Sequence, residues 1–321
     1  MNVLKRNTLG RTGLEVSELC LGTLTMSYLQ AGIPPESTEP VFQKALAMGI
    51  DFFDTAHRYR TDEHVRLGLG QRLADVTIAT KISAATIEEA EPQLAETFTG
   101  LGRQTVEIML MHQVESADAF EARRPVLDRL LELKRDGRIR AVGFSTHTIA
   151  GCEAALANAD RIDVLMPVIN RRGLGIADGS LSRQSEVLAE VHRAGVGIYA
   201  MKPLAGGLLR KEAVEALNFV RGLEFVDSVC VGVKTVQEVE LNAAIFSDGQ
   251  LEISRQALDE AAHRDRRVFV NFMCKRCGAC AERCDQGAMT MGGQRAEVDP
   301  KRCILCGYCA EVCPQFAIRV I

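Results

Sequence analysis

An α/β fold is predicted: a closed (β/α)8 barrel of the TIM type, followed by a small module stapled by metal. Three observations carry that expectation. Eight apolar, strand-like runs alternate with longer amphipathic segments, no Gly-x-Gly-x-x-Gly opens the first helix, and eight of the eleven cysteines fall between Cys274 and Cys313. Near-continuous apolar strands joined by helices imply parallel strands covered on their outer face, and eight such units close into a barrel. The absent glycine fingerprint argues against a doubly wound open sheet.

Residues 7–17, with Gly10 and Gly13 as turn residues, read as a hairpin across the barrel floor. The strand-like runs are 19–24, 51–54, 77–81, 107–112, 140–145, 164–170, 197–202 and 228–233, and helical spacing of apolar residues marks segments such as 36–48, 88–101, 119–135 and 182–193. The expected division is a barrel over 1–255 and, over 256–321, a linker helix with the cysteine-rich module. That module has too few apolar residues to fold without staples.

Composition narrows the function classes. Hydrophobic residues at 47% and charged residues at 25% describe a globular chain. With 38 Lys plus Arg against 42 Asp plus Glu, the net charge of -4 offers no general attraction to nucleic acid or an anionic membrane. No apolar run reaches the roughly 20 residues of a membrane span and no signal-peptide core follows the start, so the cytoplasm is the expected location. Cys20, Cys152 and Cys230 stand alone in apolar contexts and read as small buried hydrophobes.

The other eight cysteines form two quartets with the spacing C-x-x-C-x-x-C-x-x-x-C. Three closely spaced thiolates can wrap three irons of one 4Fe-4S cluster while the fourth is carried away to ligate the other. The first cluster is then expected on Cys274, Cys277, Cys280 and Cys313, and the second on Cys303, Cys306, Cys309 and Cys284. Zinc would not call for the third and fourth cysteine of each quartet. Residues 271–321 resemble the two-cluster bacterial ferredoxins, with Asp285 where a proline usually follows the fourth cysteine. The clusters could relay single electrons or serve structure alone.

In a barrel of this kind reactive groups sit at the carboxyl ends of strands. Asp54, Lys81 and His112 end three apolar runs, and Tyr59 follows in the loop Asp54-Thr-Ala-His-Arg-Tyr59. Each alone has a structural explanation; together, with Gly143-Phe-Ser145, Met201-Lys202-Pro-Leu-Ala-Gly-Gly207 and Gly232 ten residues before Asn242, they resemble the aldo-keto reductases over 6–246. The resemblance implies that Tyr59 protonates a carbonyl oxygen while hydride arrives from NADP or NAD, and that His112 orients the carbonyl. A Lys81 ammonium paired with Asp54 is expected to lower the Tyr59 pKa from its ordinary value near 10. It further implies Ser145 and Asn170 at the nicotinamide carboxamide, Met201 and Lys202 beside the cofactor, and Gly232, Lys234, Thr235 and Asn242 at the adenosine end. A phosphate there would meet backbone amides at a helix N-terminus. Ser145 and Asn170 could equally satisfy strand-end backbone groups.

Several positions depart from the family pattern: Arg60 for a glycine, Thr146 for an asparagine, Met166 and Ile169 where glutamine and an aromatic ring often stand, and Glu238 for a basic residue. His57, Arg58, Arg60 and His147 would border the mouth and suit a polar or anionic substrate. Flavin is not expected. The expected activity is NAD(P)H-linked carbonyl reduction or alcohol oxidation on a small molecule, with the clusters exchanging electrons with an external ferredoxin or other carrier. Two other readings stay open: ferredoxin-dependent single-electron reduction without nicotinamide, and an electron-transfer protein with an idle barrel. Following the last barrel helix, the cysteine-rich module is expected to cover part of the barrel mouth.

Overall fold

The computed structural model describes residues 4–253, 267–284, 286–303 and 307–320. An antiparallel hairpin, β1 (Arg6–Thr8) with β2 (Glu15–Ser17), precedes eight parallel strands: β3 (Leu19–Gly22), β4 (Phe52–Asp54), β5 (Thr77–Ile82), β6 (Val106–Met111), β7 (Ile139–Thr146), β8 (Val164–Pro167), β9 (Gly197–Met201) and β10 (Ser228–Gly232). They pair in sequence order, and β10 closes the ring onto β3. All eight expected runs are barrel strands.

Period-two alternation divides each strand between two cores. Phe52, Ala79, Ile108, Leu110, Ala141, Val164, Met166 and Tyr199 fill the barrel interior. Their neighbours Phe53, Ile78, Met109, Val142, Leu165 and Ile198 pack outward against the helices. Leu9, Leu14 and Val16 join the inner set, so the hairpin plugs the amino-terminal end. Gly143 is required by closeness: a Cβ there would lie 1.7 Å from the Val164 carbonyl oxygen on the next strand.

The outer layer comprises α1 (Glu39–Ala47), α2 (Asp62–Leu69), α3 (Ile87–Leu101), α4 (Ala117–Ala122), α5 (Arg124–Arg135), α6 (Ile149–Ala157), α7 (Leu181–Arg193), α8 (Ala213–Arg221) and α9 (Val236–Phe246). Thr86, Ser116, Thr148, Ser180 and Thr235 cap five of them by accepting an amide N–H three residues on. The single helix expected over 119–135 is instead α4 and α5. Pro125, in the first turn of α5, cannot donate. At the break, Arg123 turns inward and donates to the carbonyl oxygens of Ala84, His112 and Ile82. That arginine ties down the end of β6, where His112 stands.

The C-terminal unit has two small antiparallel pairs, β11 (Val268–Val270) with β14 (Ile318–Val320) and β12 (Met289–Met291) with β13 (Ala296–Val298). Short helices at Ala279–Glu282 and Tyr308–Glu311 each follow a glycine of positive φ, Gly278 and Gly307. Its own core includes Val270, Cys280, Met289, Ala296, Cys309, Ala310 and Ile318. The proposed boundary near 255, the linker helix and Cys306 lie outside the described residues.

This unit rests on the carboxyl-end face of the barrel, as its place in the chain predicts. Phe316 packs with Ala205, Leu209 and Ala216, and Arg58 stacks 3.3 Å above the Phe272 ring centroid. At Gly207, with φ +97, a Cβ would meet the Val320 carbonyl oxygen at 2.7 Å. Only glycine suits both that backbone conformation and the closeness of β14.

Candidate active site

Register sets the first polar layer above the apolar interior. Gly22, Asp54 and Ala79 are partners across β3, β4 and β5. Two residues further along β5, Lys81 reaches back and donates to Asp54 Oδ2 at 2.6 Å and to the Thr55 carbonyl oxygen at 2.8 Å. Tyr199 Oη, from the inner face of β9, donates to the same Asp54 oxygen at 3.0 Å. Tyr59 stands over this layer, its ring centroid 5.2 Å from Lys81 Nζ. The His112 ring meets it edge-on, with centroids 5.6 Å apart and planes at 81°. Asp54, Tyr59, Lys81 and His112 thus converge on one spot at the barrel mouth.

Burial dominates the electrostatics there. For Lys81, burial works to lower the pKa, but Asp54 and then Tyr59 outweigh it and hold the ammonium above its ordinary value. Burial pushes the Asp54 carboxyl up against the pull of Lys81. Lys81 and Tyr199 both donate to Asp54 Oδ2, the arrangement of a carboxylate in a charge-assisted pair with an ammonium.

The expected lowering of Tyr59 does not hold. Burial raises the phenol above its ordinary value, and the downward pulls of Lys81 and Arg319 do not overcome it. His112 is driven far below the usual imidazole range by burial and the cations around it, so it is neutral at physiological pH. Its Nδ1 lies 3.5 Å from Ser83 Oγ.

The residues assigned to the nicotinamide end have local duties. Ser145 Oγ accepts the Gln113 amide at 3.0 Å and retains its own hydrogen. Asn170 donates to the Leu174 carbonyl oxygen and accepts from the Leu174 amide, which ties its own loop. Met201 borders the inner core. Lys202, at φ +59, approaches His147 Nε2 and sits 4.7 Å from the Phe316 ring centroid. Of the residues assigned to an adenosine end, Gly232 is exposed and Asn242 buried. There Thr235 and Glu238 form a reciprocal cap on α9: Thr235 Oγ1 accepts from the Glu238 amide, and Glu238 Oε2 accepts from the Lys234 amide at 2.7 Å. A carboxylate of the chain therefore occupies the place proposed for a phosphate.

In the C-terminal unit Cys274, Cys277, Cys280 and Cys313 line one cleft, together with Met291 and Ile318. Backbone amides point at the sulfurs: Ala296 N–H to Cys274 at 3.4 Å and Ala317 N–H to Cys313 at 3.3 Å. Four thiols around one cleft, three from one run and one from the other, are the kind of donor set that a 4Fe-4S cluster takes. In the other set, Ala288 N–H donates to Cys284 at 3.3 Å and Cys309 is buried.

Sequence reasoning missed three contributors. Tyr199 lay in an apolar strand, where only its inward register marks it. Glu115 accepts from the His147 and Thr146 side chains, and nothing in the local pattern singled it out. Arg319 ends its pattern Ala-Ile-Arg-Val far from any barrel motif, yet its charge reaches Tyr59.

A closed barrel with a lysine, a carboxylate, a phenol and an imidazole gathered at the carboxyl ends of its strands defines an oxidoreductase of the (β/α)8 class with an iron-sulfur appendage. The chain belongs to the Aldo/keto reductase family, whose profile matches residues 18–248, and that of the 4Fe-4S binding domain matches 296–319. Among relatives, L-galactose dehydrogenase of Arabidopsis thaliana is 23% identical over 305 residues, covering 81% of this chain and 94% of that protein. An uncharacterized oxidoreductase of Bacillus subtilis, YrpG, is 26% identical over 236 residues, covering 65% and 69%. Of solved structures, one described as an aldo-keto reductase from Pseudomonas aeruginosa superposes with a TM-score of 0.64 at 24% identity, covering 76% of this chain and 95% of its own. Aldo-keto reductase AKR11C1 from Bacillus halodurans gives 0.63 at 18% identity, with 80% and 96% covered. At these identities the superpositions speak for the fold alone.

Proposed function

We propose that the protein interconverts a small carbonyl compound and its alcohol, with Tyr59 exchanging the proton at the carbonyl oxygen. The observation that carries this reading is the convergence of Asp54, Tyr59, Lys81 and His112. Neutral His112 donates an N–H to the same oxygen and fixes its direction. Lys81, held by Asp54 and Thr55, places a positive charge beneath the phenol as its proton leaves. The raised Tyr59 pKa keeps the donor loaded at neutral pH. A developing alkoxide, with a conjugate acid near ~16, still takes that proton downhill. In the oxidative direction Tyr59 must first lose its proton, so the geometry favours reduction near pH 7.

Bound nicotinamide would supply hydride, and two 4Fe-4S clusters single electrons. Ser145, Asn170, Met201 and Lys202 border the ring site in this reading. Gly232, Lys234, Thr235 and Asn242 border the adenosine end, where Glu238 suits a ribose 2'-hydroxyl and repels a 2'-phosphate. NAD is therefore the favoured dinucleotide. The eight quartet cysteines divide between the clusters by the crossed pairing, over a module proposed to span 256–321 after a barrel of 1–255. An external carrier exchanges electrons with the clusters. A cytoplasmic place is proposed with the iron-sulfur assignment, since thiolate-bound clusters suit a reducing compartment; among the described residues no helix is long and apolar enough to cross a membrane.

The test is carbonyl reduction and NAD(P)H binding by anaerobically reconstituted protein, with Tyr59→Phe as control. Reduction that falls by about 10²–10⁴-fold in the variant is expected; no binding at millimolar dinucleotide overturns the nicotinamide assignment. A second reading, cluster-fed reduction without nicotinamide, is favoured by β14: Ile318 borders the first cysteine cleft while the next residue acts on Tyr59. Turnover with dithionite or reduced ferredoxin, and none with NAD(P)H, is its signature.

A further inference from the structure

The barrel mouth is roofed by a strand from the iron-sulfur unit, and that strand delivers a cation. Along β14 Ile318 faces the cysteine core, so Arg319 projects to the opposite side, toward the barrel. Its aliphatic stem lies 3.4 Å from where a Cβ on Gly206 would sit. The residue is 8% exposed, and its Nε is buried with no hydrogen-bond partner. Among the described residues no carboxylate pairs with it. Asp54 is engaged by Lys81 and Tyr199, and Glu115 by His147, Thr146 and Thr148.

We propose that Arg319 is the substrate's carboxylate-recognition residue, and that the substrate is an oxo acid whose carbonyl meets Tyr59 and His112 while its carboxylate meets the guanidinium. A buried guanidinium without a counter-ion is unfavourable until an anion arrives, and its planar fork matches a carboxylate in two parallel hydrogen bonds. Lys202, next to His147 and Phe316, adds a second nitrogen donor to the same side. Burial and then Arg319 hold its ammonium well below the ordinary lysine range, against the pull of Glu115. The phosphates of a dinucleotide are the rival anion. The substrate is favoured because Arg319 comes from β14, which lies against the loop that follows β9 at the barrel mouth, with Tyr59 near enough for the two groups to interact.

This inference rests on the proposed carbonyl chemistry, but its test reads binding and does not need turnover. Holoprotein, prepared anaerobically as wild type, Arg319→Met and Arg319→Lys, is titrated calorimetrically with 2-oxobutanoate, acetoacetate and levulinate, each against its methyl ester, and separately with NADH. The expected result is that at least one acid binds wild type about tenfold or more tightly than its ester. Arg319→Met should erase that preference, Arg319→Lys should restore part of it, and NADH affinity should not change. Unaltered visible absorbance of the clusters certifies the fold of each variant. The proposal is overturned if wild type prefers no acid, if Arg319→Met keeps the preference, or if NADH affinity falls with it. Lost carbonyl reduction in Tyr59→Phe with intact acid preference in Arg319→Met would sink this inference and leave the proposed function standing; the opposite pattern would do the reverse.

Discussion

Lys81 is 1% exposed and held between a carboxylate and a carbonyl oxygen, so its removal tests burial and chemistry together. Lys81→Met leaves Asp54 charged in a dry site, and a loss of about 3–5 kcal/mol is expected in urea denaturation. The double variant with Asp54→Asn should recover most of that loss yet remain inactive. Tyr59 carries a pH signature. With its proton held above the ordinary tyrosine value, reduction should be flat from about pH 6 to 9, whereas alcohol oxidation should climb with pH throughout, as steady-state rates in both directions will show.

His147 makes an opposite kind of claim, about stability. Burial and Lys202 push it down to about 4 from 6.5, against the pull of Glu115. Below pH 6.5 the unfolded chain takes up a proton that the folded chain refuses. Stability is therefore intact above that value and is lost as pH falls toward about 4, by at most ~3 kcal/mol. His147→Asn should flatten that acid limb, measured by denaturant midpoints at neutral and acid pH.

At the scale of elements, α9 shows how a local signal can answer a functional question. Thr235 and Glu238 open α9, and the reciprocal cap they form takes the amide that a phosphate would need. Glu238→Ala should shift preference from NADH toward NADPH by about tenfold while costing about 1 kcal/mol of stability, readable from binding isotherms and thermal melts of one variant. The strands were legible because burial on both faces writes an apolar run of fixed length. The division of α4 from α5 was not, since Arg123 breaks the helix to serve carbonyl groups at β5 and β6 that no local pattern announces. The four convergent residues were readable because each ends a strand or the loop after it, and strand ends of a barrel face one place. Their electrostatics were not, because desolvation is a property of the assembled roof: the phenol that a neighbouring ammonium was expected to acidify is instead raised by burial.

For the molecule as a whole, the cysteine-rich unit has a small core of its own and leans on the barrel through Phe316, Phe272 and β14. Stripping iron with a chelator under reducing conditions should unfold that unit while the barrel keeps its helical signal, giving a low first transition and a separate higher one by circular dichroism. Cys313→Ser should lower bound iron by about half, because the proposed crossed pairing would give that thiol to the first cluster alone.

Because β14 belongs to the iron-sulfur unit and lies across the opening, the reaction chamber has its ceiling only once that unit has folded. A molecule that has failed to collect its iron would leave Arg319 unplaced and Tyr59 open to water. Such a molecule would be a lidless vessel, idle toward its substrate before any electron is asked of it, so metal supply would govern the supply of competent enzyme.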